Sequence, residues 1–169
     1  MSRSGYSDDC DGWDLIRWRG AVASAIRGKR GQAMLQEMLQ ALDAMPDKRL
    51  VSESLVTSDG DYCTLGALGR ARGMDMGGIG PEDRESVARA FGISEALAAE
   101  IMYLNDEGVV SNTRWIEVEI CGPVRPNFPE WGKHSKTVSI ANENAAKQRW
   151  SYMRSWVESN LKTRVFNIS

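Results

Sequence analysis

Between Asp11 and Pro46 the chain carries two apolar stripes in succession, separated by one glycine-flanked turn, and no other feature restricts its folding as strongly. Leu15, Trp18, Val22, Ala25 and Ile26 recur at three- and four-residue steps, the spacing of one buried helix face. Asp11 to Asp14 form the entrance, because acids near the first turn complement the free N–H groups and the helix dipole. Gly28 and Gly31 punctuate the end of this helix. Leu35, Met38, Leu39, Leu42 and Met45 then repeat the pattern, and Pro46, which lacks an N–H, stops it. The predicted unit is a helical hairpin with a Gly-Lys-Arg-Gly turn.

The texture changes from Leu50 to Leu65, where Val and Thr appear and Asp59-Gly60 sits midway, a signal for a two-residue β-hairpin. Pro81, Glu82 and Asp83 suit the start of a helix that buries Val87, Ala88 and Phe91 and stops at Gly92. Ser94 caps a second helix with Leu97, Ala98, Ile101 and Leu104 inward, ended by Asn105 to Gly108. In Arg114 to Cys121, Ile116, Val118 and Ile120 alternate with Trp115, Glu117 and Glu119, which predicts a strand. This strand needs a partner, either the 50–65 hairpin or a second copy of the chain. Gly122 to Lys136 holds three prolines and reads as an irregular excursion. From about Asn142, Ala146, Trp150, Met153, Val157 and Leu161 mark a long C-terminal helix.

The expected architecture is therefore α+β and predominantly helical: an N-terminal helical hairpin, a small antiparallel sheet of two to three strands, a central helix pair and a long last helix. A length of 169 residues suits a single globular domain. Within it, 1–108 hold the helical hairpin, β-hairpin and helix pair, 109–141 the strand and proline-bearing loop, and 142–169 the last helix.

Net charge of −2 and a pI near 5.5 give no overall attraction to nucleic acid or to anionic membranes. The longest apolar runs fall far short of the roughly 18 residues a membrane span requires. The N-terminal stretch has no apolar core of the kind a signal peptide carries. Cys10, Cys63 and Cys121 are scattered, without a CxxC, as free thiols of a reducing compartment would be. These features predict a cytoplasmic protein.

Chemistry-bearing residues do not converge in the string. The pair 82–91 and 94–104 mimics the spacing of a helix-turn-helix, but its second helix offers Glu95, Ala96, Ala99 and Glu100 where base-reading residues belong, so nucleic acid is disfavoured. The basic turn Arg27, Lys29 and Arg30 precedes a helix N-terminus and can hold a phosphate or nucleotide; alternatively it is a solvated turn that complements the first helix's C-terminal end. Asp8, Asp9, Asp11 and Asp14 resemble a metal-binding acidic cluster only loosely, and helix capping explains them. His134, the single histidine, has no nearby Cys or triad-like partner. No catalytic residue, metal site or cofactor site is assigned. Six tryptophans are many for this length. Trp18 and Trp150 belong to buried stripes, whereas Trp115, Trp131 and Trp156, with Arg17 opposite the first stripe, are the candidate partner-binding residues.

The stretch SGYSDDCDGWDLIRWRGAVASAIRGKRGQAMLQEMLQALDAMP resembles a family of short, largely uncharacterised bacteriophage and prophage proteins. RARGMDM, EALAAEIMYLNDE and RWSYMRSWV continue the likeness, whereas residues 109–144 depart from it. The resemblance implies an accessory role inside an infected bacterium. The expected function is non-enzymatic binding of a host or host-defence protein, with homodimerisation open; the alternatives are sequestration of a nucleotide or other phosphorylated ligand, nucleic-acid binding by the helix pair, and a metal nuclease at the acidic cluster.

Overall fold

The structure, a computed structural model, describes residues 3–5, 12–108, 110–119 and 135–162. The chain divides into two compact units, one made of residues 1–110 and 146–169, the other of Ser111–Ala145.

The first unit is helical and follows the predicted stripes. Helix α1 spans Gly12–Arg27 and α2 spans Lys29–Ala44, in contact across the expected turn. α2 buries Gly31, Met34, Leu35, Met38, Ala41 and Leu42, one face at helical spacing. The two helices approach so closely that a Cβ at Gly31 would lie 1.9 Å from the Ala25 carbonyl oxygen. Only glycine fits that seam.

Helix α3 (Thr64–Ala71) starts at Cys63, whose sulfur accepts from the Gly66 N–H. α4 (Arg84–Phe91) begins three residues later than Pro81 suggests, because Asp83 caps it, accepting from the N–H groups of Glu85 and Ser86. Gly92 at φ 68° ends it, with the Ile93 N–H closing back on the Ala88 carbonyl. Ser94 caps α5 (Glu95–Tyr103) through the Leu97 N–H. α6 runs Ala145–Asn160. Leu35, Met38 and Leu42 of α2 pack with Leu65 and Leu68 of α3, Val87 and Phe91 of α4, Leu97, Ile101 and Met102 of α5, and Met153 and Val157 of α6. This cluster is the core, and burying each such side chain is worth about 1.5–3 kcal/mol.

Two expectations about this unit need correction. The 50–65 hairpin is not a pair of strands: it reduces to one bridge, Val56 to Tyr62, around a turn in which the Thr57 N–H donates to Asp61 and the Gly60 N–H to Thr57. Its first arm is drawn into the helical core by Leu50 and Leu55, the Leu50 N–H donating to Ala146 of α6, and its second arm ends where Cys63 opens α3. Nor does α5 stop at Asn105. The chain winds on through a π turn, Leu104–Gly108, that directs Asn105 inward.

The second unit is an antiparallel hairpin of β1 (Thr113–Glu119) and β2 (Ser135–Ala141), with Ile116 opposite Val138 and Trp115 opposite Ser139. The β1 strand thus pairs within the chain, with β2 rather than with the 50–65 segment. Ile116, Val118, Val138 and Ile140 share one half-buried face, and Trp115 stands on the other. Asn142 ties off the open end, its N–H donating to Asn112 and its side-chain amide to Ser111. The fold is predominantly helical α+β with, among the described residues, a small antiparallel sheet of two strands, as expected.

Candidate functional site

Three places in the helical unit carry side chains that the fold alone does not require. The first is the solvent face of α1. Val22 is buried and Trp18, Ala25 and Ile26 are half-buried, as their stripe demands, but Leu15 is 36% exposed at its edge. On the opposite face stand Trp13, 73% exposed, and Ile16, 62% exposed. Gly20, one turn further along, continues this face, and a Cβ built there would meet nothing within 4 Å. Arg17 lies beside them, mostly exposed, 3.8 Å from the equally open carboxylate of Asp14. Trp13, Ile16 and Gly20 follow a three- then four-residue step, so they form a second, narrower stripe pointing away from the core.

The second place is a cavity of about 330 Å³ where the α1–α2 turn meets the α4–α5 turn. Lys29 and Arg30 line it together with Gly28, Ile93 and Ser94. The N-terminal ends of α2 and α5 therefore face one space. The α2 end carries no acid in its first turn, and its N-cap, Gly28, makes no side-chain cap. The structure thus brings Lys29 and Arg30 together at a cavity. Arg27 does not line it; its carbonyl instead accepts from the Lys162 ammonium at 2.8 Å.

The third is a buried polar cluster at the π turn that the sequence reading missed. Asn105 accepts from the N–H and hydroxyl of Thr64, 3.1 and 2.8 Å away, and donates to the Val51 carbonyl and to Asp106. Arg149 of α6, 2% exposed, donates to the carbonyls of Asn105 and Leu50. Burial pulls its guanidinium below the ordinary arginine range, while Asp106 and Glu53 act in the opposite sense. Arg3 completes the cluster by a paired contact with Asp106. One sequence signal was available: Arg149 lies four residues before Met153 and eight before Val157, a charge on an apolar stripe.

The remaining candidates are scattered. Trp115 is 71% exposed on β1, Trp156 is half-buried against the core, and Trp131 lies outside the described residues. Trp150 donates its indole N–H to the Leu42 carbonyl at 3.1 Å, a buried polar tip satisfied. In the helix pair, α5 packs against α1, α3 and α4. Ala99 is consequently buried, where the sequence reading placed it in solvent, and Glu95 is tied to Arg84 at 2.6 Å. Among the described residues no three His, Cys, Asp or Glu side chains gather as a metal site; Asp8, Asp9, Asp11 and His134 lie outside them. Among the same residues no helix is long and apolar enough to cross a membrane.

No protein-family model matches this chain, and neither does any curated protein or solved structure.

Proposed function

We propose that this chain is a non-catalytic accessory protein of a bacteriophage that acts by binding a protein component of the infected bacterium, with the outer face of α1 as its docking surface. The observation that carries the reading is the stripe Trp13–Ile16–Gly20. A tryptophan and an isoleucine left in water contribute nothing to the core, and exposed apolar area of this kind marks association sites. Gly20 adds the decisive detail. A glycine inside a helix costs about 1 kcal/mol relative to alanine, and nothing among the described residues approaches Gly20 closely enough to need one. A partner element laid against the helix at that point does need one. The phage setting and a counter-defence role rest on the resemblance of residues 4–46 and the shorter segments that follow.

Affinity capture from infected cells, with wild type beside a Trp13→Ala/Ile16→Ala double variant, tests the reading. The expected result is at least one host protein retained by wild type and lost by the variant, at unchanged melting temperature. Identical captured sets from two equally folded proteins would remove the docking surface.

A second reading, sequestration of a phosphorylated small ligand, is favoured by the cavity at Lys29 and Arg30, whose volume reaches the lower end of ligand pockets. A bound ligand at about 100 times its dissociation constant adds about 2.7 kcal/mol, a shift of roughly 5–10 °C for a chain of this size. A screen of nucleotides and inorganic phosphate that moves the melting temperature, by an amount abolished in Lys29→Ala and Arg30→Ala, supports it. A flat screen ends it.

A further inference from the structure

The N-terminal residues Arg3 and Ser4 are buried against the helical unit as deeply as core residues, although no stripe or strand pattern includes them. Arg3 is 6% exposed and Ser4 1%. The Arg3 guanidinium presents Nε and Nη2 to the two carboxylate oxygens of Asp106, the Nη2 contact being 2.9 Å. Both side chains are shut from water, at 3% and 5% exposure. The next residues are locked separately: Arg84 donates to the Ser4 carbonyl at 3.2 Å, lies over the Trp18 ring and pairs with Glu95. Gly5 holds φ 69°, and a Cβ there would lie 2.4 Å from the Arg84 Nη1.

What receives Arg3 is built by the rest of the chain. The π turn sets Asp106 facing inward, and its Oδ1 also accepts from the Glu53 N–H at 3.1 Å and the Asn105 amide at 2.7 Å. Glu53 donates from the left-handed region, φ 65°, a backbone strain that a non-glycine residue bears only where its surroundings impose it. Asn105 is fixed in turn by Thr64 and Val51. The carboxylate is therefore oriented by groups of the helical unit other than Arg3. Two parallel N–H donors against two carboxylate oxygens suit a planar guanidinium and not an ammonium. The third nitrogen, Nη1, is buried without a hydrogen-bond partner among the described residues, so the fork at Asp106 makes the charge-paired contact. Burial opposes the Arg3 charge, yet hydrogen bonding to the Asp106 carboxylate and its negative charge hold the Arg3 proton more tightly than in water.

We propose that the space filled by Arg3 is a guanidinium-binding site of the helical unit, with Asp106 as its anionic floor, and that Arg3 is its tethered ligand, replaceable by a free guanidinium compound. Removing one partner of a buried pair leaves an uncompensated charge, and that cost drives uptake of a substitute. The proposal is independent of the α1 docking surface.

Arg3→Met keeps the apolar stem and deletes the fork, and methylguanidinium chloride at millimolar concentration is the probe. The variant is expected to melt about 10 °C below wild type. Methylguanidinium recovers several degrees of that loss along a saturating curve, while methylammonium and sodium chloride at equal ionic strength do not. Wild type does not respond, and adding Asp106→Asn to the variant abolishes the response. Should Arg3→Met fail to fold alone, refolding with methylguanidinium restores folded protein. No recovery in either format, or equal recovery with methylammonium, overturns the site.

Discussion

α1 and α2 are consecutive helices of 16 residues each, and the sequence gives both an apolar stripe, yet α2 buries six residues where α1 buries Val22. The difference lies in their neighbours. α2 packs against α1 and α3 and shares its core with side chains of α4, α5 and α6. α1 is packed against α2 and α5, its covered residues fall between Trp18 and Ile26, and residues 12–17 are exposed. A periodic stripe therefore announces a helix and its inward direction, but not how much of it will be covered. Where a stripe outruns its cover, as at Leu15, or a second one faces away from the core, as at Trp13 and Ile16, the apolar residues are available to something else.

The sharpest way to break this comparison is to remove one buried side chain from α2. Leu35 is fully buried, and Leu35→Ala leaves a cavity among residues of several helices. The expected loss is about 3 kcal/mol, or roughly 6–12 °C in melting temperature by calorimetry. A loss below about 1 kcal/mol would mean that the α2 face collapses easily and differs little from that of α1.

Much of the helical unit was legible because its signals are local. Pro46, Gly92 and Ser94 each fix a helix boundary by the chemistry of one residue, and the structure uses all three at or next to the expected position. The strand at Thr113–Glu119 was readable from alternation, and Val138 and Ile140 carry the same alternation in its partner, too briefly to stand out beside the prolines that precede it. The Asp59-Gly60 turn formed as a turn, but whether its arms extend as strands depended on Leu50 and Leu55 being claimed by the helices. Of the candidate sites, Lys29 and Arg30 were adjacent in sequence and stayed together. Arg3 and Asp106 are 103 positions apart, and no period or spacing links them. Nor did any local signal foretell the π turn, since Asn105 to Gly108 reads equally well as a helix stop. What escaped was whatever depends on contacts between distant segments.

The finest probe of the α1–α2 contrast uses their glycines, which are of opposite kinds. Gly31 on α2 is demanded by the seam with Ala25, whereas Gly20 on α1 faces open space. Helix propensity then argues that Gly20→Ala raises stability, by about 0.5–1 kcal/mol or roughly 1–4 °C, since alanine loses less backbone entropy and meets no obstacle. On the docking reading the same methyl group stands in the path of a partner helix or strand, so capture of the host protein weakens as the melting temperature rises. Opposite movement of the two readouts is the signature of a residue kept for binding at the expense of folding. A rise in stability with capture unchanged would strip Gly20 of that role, and a fall in stability would mean that the outer face of α1 is already covered.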